Sequence, residues 1–207
     1  MDDAKKRLIQ SLRDGGYLKS DNVIRAFEKV DREKFMLPAY KSAAYSDYPL
    51  PIPGSVTMSA PHMHAIVLEA LDLKSGDSVL EVGFGSGILL AYISEIVGRG
   101  KIIGTEINNE TYIFGARNLE RAGYKNVILL NVSGANGVRD YAPYDKIAVS
   151  AAAKKILPGL VSQLNDGGRM VIPVGRFSQD LMLVEKNRGK VTEKNLGPVV
   201  FVTLTEP

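Results

Sequence analysis

Apolar positions recur along this chain with two different periods, and the change of period divides it. Over residues 3–14 (DAKKRLIQSLRD), Leu8, Ile9 and Leu12 fall on one helical face, and Gly15-Gly16 stops the pattern. Ser20 or Asp21 caps a second predicted helix with Val23, Ile24, Phe27 and Val30 inward, and DREKFM at 31–36 reads as a further helical turn. Between Pro38 and Ser59 the helical period lapses. Pro49, Pro51 and Pro53 alternate with Leu50 and Ile52, which predicts an extended chain without a hydrogen-bonded ladder. Its composition suits a stiff linker, although linkers rarely carry so much apolar and aromatic surface. A helix over 60–73 follows, with Pro61 near its first position and Ile66, Val67, Ala70 and Leu71 on its apolar face. Ser59, just ahead of Pro61, reads locally as the N-cap of that helix.

From residue 79 onward the two periods alternate. Predicted strands at 79–82, 101–107, 127–132, 146–150 and 169–174 are interleaved with predicted helices at 88–97, 110–122 and 157–164. Such alternation implies right-handed crossovers and a mostly parallel sheet covered on both faces. The end differs. Segments 181–186 and 199–204 have no helix between them, and turn signals stand at Asn187-Arg188-Gly189 and Gly197-Pro198. This predicts an antiparallel hairpin at the edge, and so a seven-stranded α/β sheet with an N-terminal helical cap. The 207 residues fit one domain, with 1–75 forming the cap and extended segment and 76–207 the sheet.

Composition narrows the chemistry. There are no cysteines, which rules out a disulfide framework and thiolate chemistry and suits a cytoplasmic protein. With two histidines, His62 and His64, no metal site is expected. The first residues, MDDAKKRLIQ, lack the apolar core of a signal peptide, and no apolar run reaches membrane-spanning length. A net charge of +3 comes from lysines and arginines scattered among nearly as many acids, so no nucleic-acid partner is expected. A monomer is the simplest expectation.

The candidate chemistry gathers at SVLEVGFGSG, residues 78–87. A short strand buried on both faces runs into Gly83-Phe84-Gly85-Ser86-Gly87 and then a helix start, where glycine admits a positive φ and lets a ligand reach the backbone. The amides of that helix start favour acceptors or negative charge. Glu81 lies two residues before Gly83, and Glu106 ends the next apolar run, about 20 residues on, where an acid reaches ribose hydroxyls in nucleotide-binding βαβ units. Ile88 stands where a GxGxxG pattern wants its last glycine, which disfavours a dinucleotide and a nicotinamide-dependent dehydrogenase. The stretch resembles instead the turn of S-adenosylmethionine-dependent methyltransferases.

A more specific resemblance lies upstream. VTMSAPHMHA at 56–65 closely resembles the signature of protein-L-isoaspartate (D-aspartate) O-methyltransferases, and further matches follow in family order: VLEVGFGSGIL at 79–89, GTEIN at 104–108, APYDKIAVSAAA at 142–153, LPGLVSQLNDGGRMVIPVG at 157–175 and the closing VFVTLTEP. The resemblance implies a Rossmann-like class I methyltransferase fold, S-adenosyl-L-methionine as cofactor, and isoaspartyl peptides and proteins as substrates. It implies Ser59 as the catalytic residue beside the transferring methyl group. It places Gly83, Gly85 and Ser86 against the methionine part of the cofactor and Glu106 at its ribose, with Glu81, Ile107, Ser133 and Gly134 also among the cofactor-binding residues. It also places Ile52, Pro53, Gly54 and Ser55 over the cofactor, with His64 and Thr205 lining it.

Two departures stand out. The family usually has Gly-Asp-Gly after the third strand, with the acid at the adenine amino group; here Val132-Ser133-Gly134 occupies the place. Losing the charged acceptor is expected to cost about 1–3 kcal/mol unless Asn131 or Asn136 compensates. The sequence also ends two residues past Thr205, where family members usually run on, so part of the substrate wall is expected to be missing. Two other readings follow from these departures: a methyltransferase for another small molecule or RNA, and a cofactor-binding sensor that has lost catalysis.

Overall fold

A computed structural model describes residues 2–205. Helix α1 (Asp3–Asp14) buries Leu8, Ile9 and Leu12, and α2 (Asp21–Lys29) buries Val23, Ala26 and Phe27. A 3-10 turn over Arg32–Phe35 and another over Pro38–Ala43 lead to a hairpin of β1 (Leu50–Ile52) and β2 (Val56–Met58). That hairpin corrects the ladder-free reading of the proline segment. Leu50 pairs with Met58, Pro51 with Thr57 and Ile52 with Val56. A proline is tolerated in such an edge strand because its missing N–H falls where no partner stands. Leu50 and Ile52 are buried while Pro51 is exposed, so the alternation that looked like a spacer is the period of a strand.

Helix α3 (Pro61–Leu71) follows, its N-cap being Ala60 with no side-chain hydrogen bond, so Ser59 is not the cap. Its buried face is formed by Pro61, His64, Ala65, Val67, Leu68 and Leu71, with Ile66 and Ala70 half-buried at the margin. The face is rotated from the expected one because α3 packs on two sides.

The main sheet is built from β3 (Val79–Val82), β4 (Ile102–Thr105), β5 (Val127–Leu130), β6 (Tyr144–Val149), β7 (Leu164–Gly175), β8 (Gln179–Asn187) and β9 (Lys190–Val199), in the spatial order β5-β4-β3-β6-β7-β8-β9. The first five strands are mutually parallel, β8 turns back antiparallel to β7, and β9 turns again, antiparallel to β8. Every residue of β3 and β4 is buried, as expected of strands covered on both faces. Helices α4 (Ile88–Val97), α5 (Asn109–Ala122) and the short α6 (Pro158–Ser162) make the crossovers. Helix α4 is buried almost all round, since α2 closes its outer side with Phe27 stacked on Tyr92 at 4.4 Å between ring centroids. Chain order reverses direction at β3, between β4 on one side and β6 on the other, and the crevice at such a switch point is where ligands bind in open α/β sheets.

Two further expectations are corrected. The helix over 157–164 shrinks to five residues and β7 begins at Leu164, because Asn165 to Gly168, which reads as a turn, is carried inside the strand beyond an irregularity in its pairing with β6. The last strand is Lys190–Val199 rather than 199–204. Residues of β9 are mostly exposed, so the edge strand shows no apolar alternation, and Gly197-Pro198 forms a register shift opposite Asp180 rather than a turn. Residues 200–204 leave the sheet as a tail. It is fastened by Ala152 N–H to Val202 O (2.7 Å), Leu204 N–H to Ala152 O (2.8 Å), and the Gln179 amide, which both donates to and accepts from the Phe201 main chain (3.0 and 2.6 Å).

Candidate active site

The turn after β3 is held from three sides. Gly83 and Phe84 donate their amides to Thr105 O on β4 (2.8 and 3.1 Å), Gly85 donates to Glu106 Oε2 (3.2 Å), and Asn118 of α5 donates to Ser86 O (3.1 Å). Gly85 has φ 54 and Gly87 φ 86, and a Cβ on Gly87 would stand 2.8 Å from Leu119 Cγ. At Gly115 of α5 a Cβ would fall on Gly85 O and the Phe84 ring, so helix and turn approach as closely as two backbones can. Glu106 has its other oxygen on Asn108 N (3.0 Å), while Asn131 at the end of β5 donates to Glu106 O (2.7 Å). Its carboxylate is thus fixed at the edge of the turn with lone pairs left over.

Three cavities meet here. The first, about 220 Å³, is bounded by Gly54, Gly83, Gly85, Glu106, Ile107, Ser133, Gly134 and tail residues through Thr205. The second, about 40 Å³, lies on the other side of Gly83 and Gly85 and is lined by Ser59, His64, Glu81 and Ser86. The third is an outer groove of about 590 Å³ between Pro49, Ser59, Ala60 and Met63 on one wall and Val199–Val202 of the tail on the other. Thr57 and Ser150 border all three, and Ser59 borders the second and third.

Glu81 is the electrostatic centre of the second cavity. Its Oε1 accepts from Ser150 Oγ at 2.9 Å, and its buried Oε2 has no hydrogen-bond partner. Burial pushes its pKa up to about 8, the Ser150 hydroxyl pulls it down and the charge of Glu106 adds to the rise. A buried acceptor without a donor is rare and calls for a partner from outside the chain. A cationic amino-acid end of a ligand, with hydroxyls reaching the Glu106 carboxylate, fits these donors and acceptors.

His64 is buried, and desolvation first, then the charge of Arg32, holds its pKa well below the ordinary imidazole range. It is therefore neutral at physiological pH. The Ser59 hydroxyl makes no hydrogen bond among the described residues, whereas the Ser59 carbonyl accepts from Arg32 Nη2 at 2.8 Å.

The expected site residues are thus largely brought together, with exceptions. Ile52 lies beneath Gly85 as a buried packing residue, Pro53 faces α5 and accepts from Thr111 Oγ1 (2.9 Å), and Ser55, at φ 59, borders none of the three cavities. Neither asparagine stands in for the missing acid: Asn131 is spent on main-chain carbonyls, and Asn136 lies outside the first cavity, where its carbonyl accepts from Gln163. Thr57, Ser150 and Arg32 are absent from the sequence reading. Ser150 had a legible signal, since it follows the strand next to β3 at its C-terminal end.

Comparison with known proteins gives the family. The family model described as Protein-L-isoaspartate(D-aspartate) O-methyltransferase matches residues 3–207. The chain belongs to this family. Among its relatives, the protein-L-isoaspartate O-methyltransferase of Pyrococcus horikoshii is 46% identical over 202 residues, covering 96% of this chain and 91% of that one. The Methanothrix thermoacetophila protein of the same name is 46% identical over 201 residues, covering 97% and 94%. In structure, a candidate protein-L-isoaspartate O-methyltransferase from Plasmodium falciparum, in complex with S-adenosyl-L-homocysteine, superposes with a TM-score of 0.88 at 27% identity, covering 99% of both chains.

Proposed function

We propose that this chain transfers a methyl group from S-adenosyl-L-methionine to the free α-carboxylate of L-isoaspartyl residues, with D-aspartyl residues as a second substrate, and so starts the repair of damaged proteins. The observation that carries the reading is the meeting of the cavities: the cavity beside the glycine turn and Glu81 shares Ser59 with an outer groove of about 590 Å³, which suits an extended peptide. When bound, S-adenosyl-L-methionine supplies an electrophilic methyl group on a sulfonium. We assign Glu81, Gly83, Gly85 and Ser86 to its amino-acid end, Glu106 and Ile107 to its ribose side, and Ser133, Gly134 and Thr205 to the far end of the first cavity.

The chain's own task is alignment. An α-carboxyl has a reference pKa near 3.5, so it arrives as an anion and the site needs no general base to activate it. The uncommitted Ser59 hydroxyl is free to donate to that carboxylate and fix its orientation, and the tail residues Val202–Thr205 keep water from the reacting charges. In the methyl ester that leaves, the side-chain amide nitrogen of the isoaspartyl linkage attacks the ester carbonyl and expels methanol to form a succinimide, which water reopens in part as normal aspartate. Damage arises in many sequence contexts, which suits a groove that reads an extended backbone and makes few side-chain demands.

A methylation assay with an isoaspartyl peptide and its normal aspartyl twin tests the reading: label is expected in the first alone, and equal labelling overturns it. A second expectation concerns Ser133. Ser133→Asp is expected to tighten S-adenosyl-L-homocysteine binding about tenfold by restoring a charged acceptor to the cavity wall. Titration calorimetry reads this, and an unchanged affinity would mean that another group already satisfies the adenine. We place the activity in the cytoplasm, in a monomer without a nucleic-acid partner. No helix among the described residues is long and apolar enough to cross a membrane.

A further inference from the structure

Behind the second cavity sits a charge that the methyl-transfer reading leaves unused. Arg32, from the turn after α2, is 1% exposed, yet among the described residues no carboxylate lies within ion-pair distance of it. Its Nη2 donates to the Ser59 carbonyl at 2.8 Å, its Nη1 faces His64 Nδ1 at 3.5 Å, and its buried Nε has no partner. Burying a guanidinium is costly, and a purely structural site normally supplies an acid to offset it. Here the guanidinium instead touches the backbone of one expected site residue and the ring of another, and the Tyr92 hydroxyl and, from farther off, Asp47 favour its charge.

We propose that Arg32 is the positioning residue of the transfer site: one buried guanidinium fixes the Ser59 main chain through its carbonyl and fixes His64 in the tautomer that carries its proton on Nε2. Arginine has only donors, so the nitrogen facing it must present a lone pair. The positive charge at 3.5 Å also opposes a proton on Nδ1, whether or not the contact is a full hydrogen bond. The N–H of His64 is therefore assigned to Nε2, on a residue that lines the second cavity with Ser59 and Glu81. No other charged group competes at Nδ1. His64 faces Arg32 from the turn, His62 on its own helix and the Tyr92 ring of α4 at 5.9 Å, with Glu81 across the cavity; His62 is itself occupied by Asp47 at 2.9 Å.

The catalytic part rests on the proposed function; the tautomer part does not and is read without substrate. With two histidines in the chain, nitrogen NMR of histidine-labelled protein resolves them, and His62→Gln assigns the pair. The wild type is expected to show His64 as the neutral Nε2–H tautomer, in keeping with a pKa lowered by burial and by the Arg32 charge. Arg32→Met, which keeps the volume and removes the charge, is expected to show both tautomers, while burial still holds the ring neutral. Its kcat on isoaspartyl peptide should fall about 30-fold, with KM within about threefold, because orientation rather than affinity is lost. A wild-type Nδ1–H tautomer, or an Arg32→Met protein with unchanged tautomer and kcat, overturns the proposal. If Arg32→Met fails to fold, Arg32→Lys decides. That variant keeps a charge near Nδ1 but loses the fork, so the tautomer should persist while kcat drops about tenfold, and an unchanged kcat overturns it.

Discussion

Glu81→Gln is expected to weaken binding of S-adenosyl-L-homocysteine by about 10- to 100-fold at pH 8 and to abolish the pH dependence of that binding. In the free protein burial raises this carboxyl from its ordinary value near 4.5 to about 8, so at neutral pH it is mostly protonated. A cationic amino group against the unpartnered Oε2 favours the ionised form, so binding expels a proton. Wild-type affinity should therefore rise as pH climbs towards 8 and level off above it, whereas the glutamine variant should stay flat. Calorimetry in two buffers of different ionisation enthalpy counts the proton, and the absence of release in the wild type would remove Glu81 from the binding site.

The same group gives a stability signature of opposite sign. Between about pH 4.5 and 8 the folded protein holds a proton that the unfolded chain has shed, so raising the pH through this window draws the equilibrium towards unfolding. The penalty is absent below the lower value and complete above the higher one. Glu81→Gln should accordingly be more stable than the wild type above pH 8, by up to a few kcal/mol, and match it near pH 4. Stability retained against ligand for function is a familiar exchange at active sites.

Ser59→Ala is expected to lower kcat on isoaspartyl peptide by about 100-fold while leaving cofactor affinity within about threefold and stability within about 0.5 kcal/mol. The separation follows from local geometry. The hydroxyl makes no hydrogen bond within the protein and caps no helix, so removing it releases nothing, and the Ser59 carbonyl stays on Arg32. On the proposed function, what is lost is the donor to the substrate anion. A parallel fall in kcat and cofactor affinity would instead mean that the residue shapes the cofactor chamber.

Sequence patterning identified the parallel half well because its physics is local. A strand buried on both faces must be apolar throughout, and a turn that brings backbone against backbone must be glycine, so Val79–Gly87 followed by Ile88–Val97 was readable directly. The regions that escaped are governed by non-local partners. The hairpin at 50–58 hid behind Pro51, whose missing N–H matters only if a neighbour lies on that side. Strand β9 hid because an exposed edge has no reason to alternate. The site was legible where residues sit at strand ends, as with Glu106, and illegible where a residue arrives from elsewhere. Nothing in DREKF distinguishes Arg32 from its exposed neighbour Lys34 until the α2 segment is docked against α4.

The tail over Val200–Thr205 borders both the outer groove and the first cavity, and is fastened at one point by the Ala152 main chain and at another by a single side-chain amide, Gln179. On the proposed function, the same strip walls both the peptide groove and the cofactor cavity. A cut or insertion in this strip is expected to unseal the two compartments together.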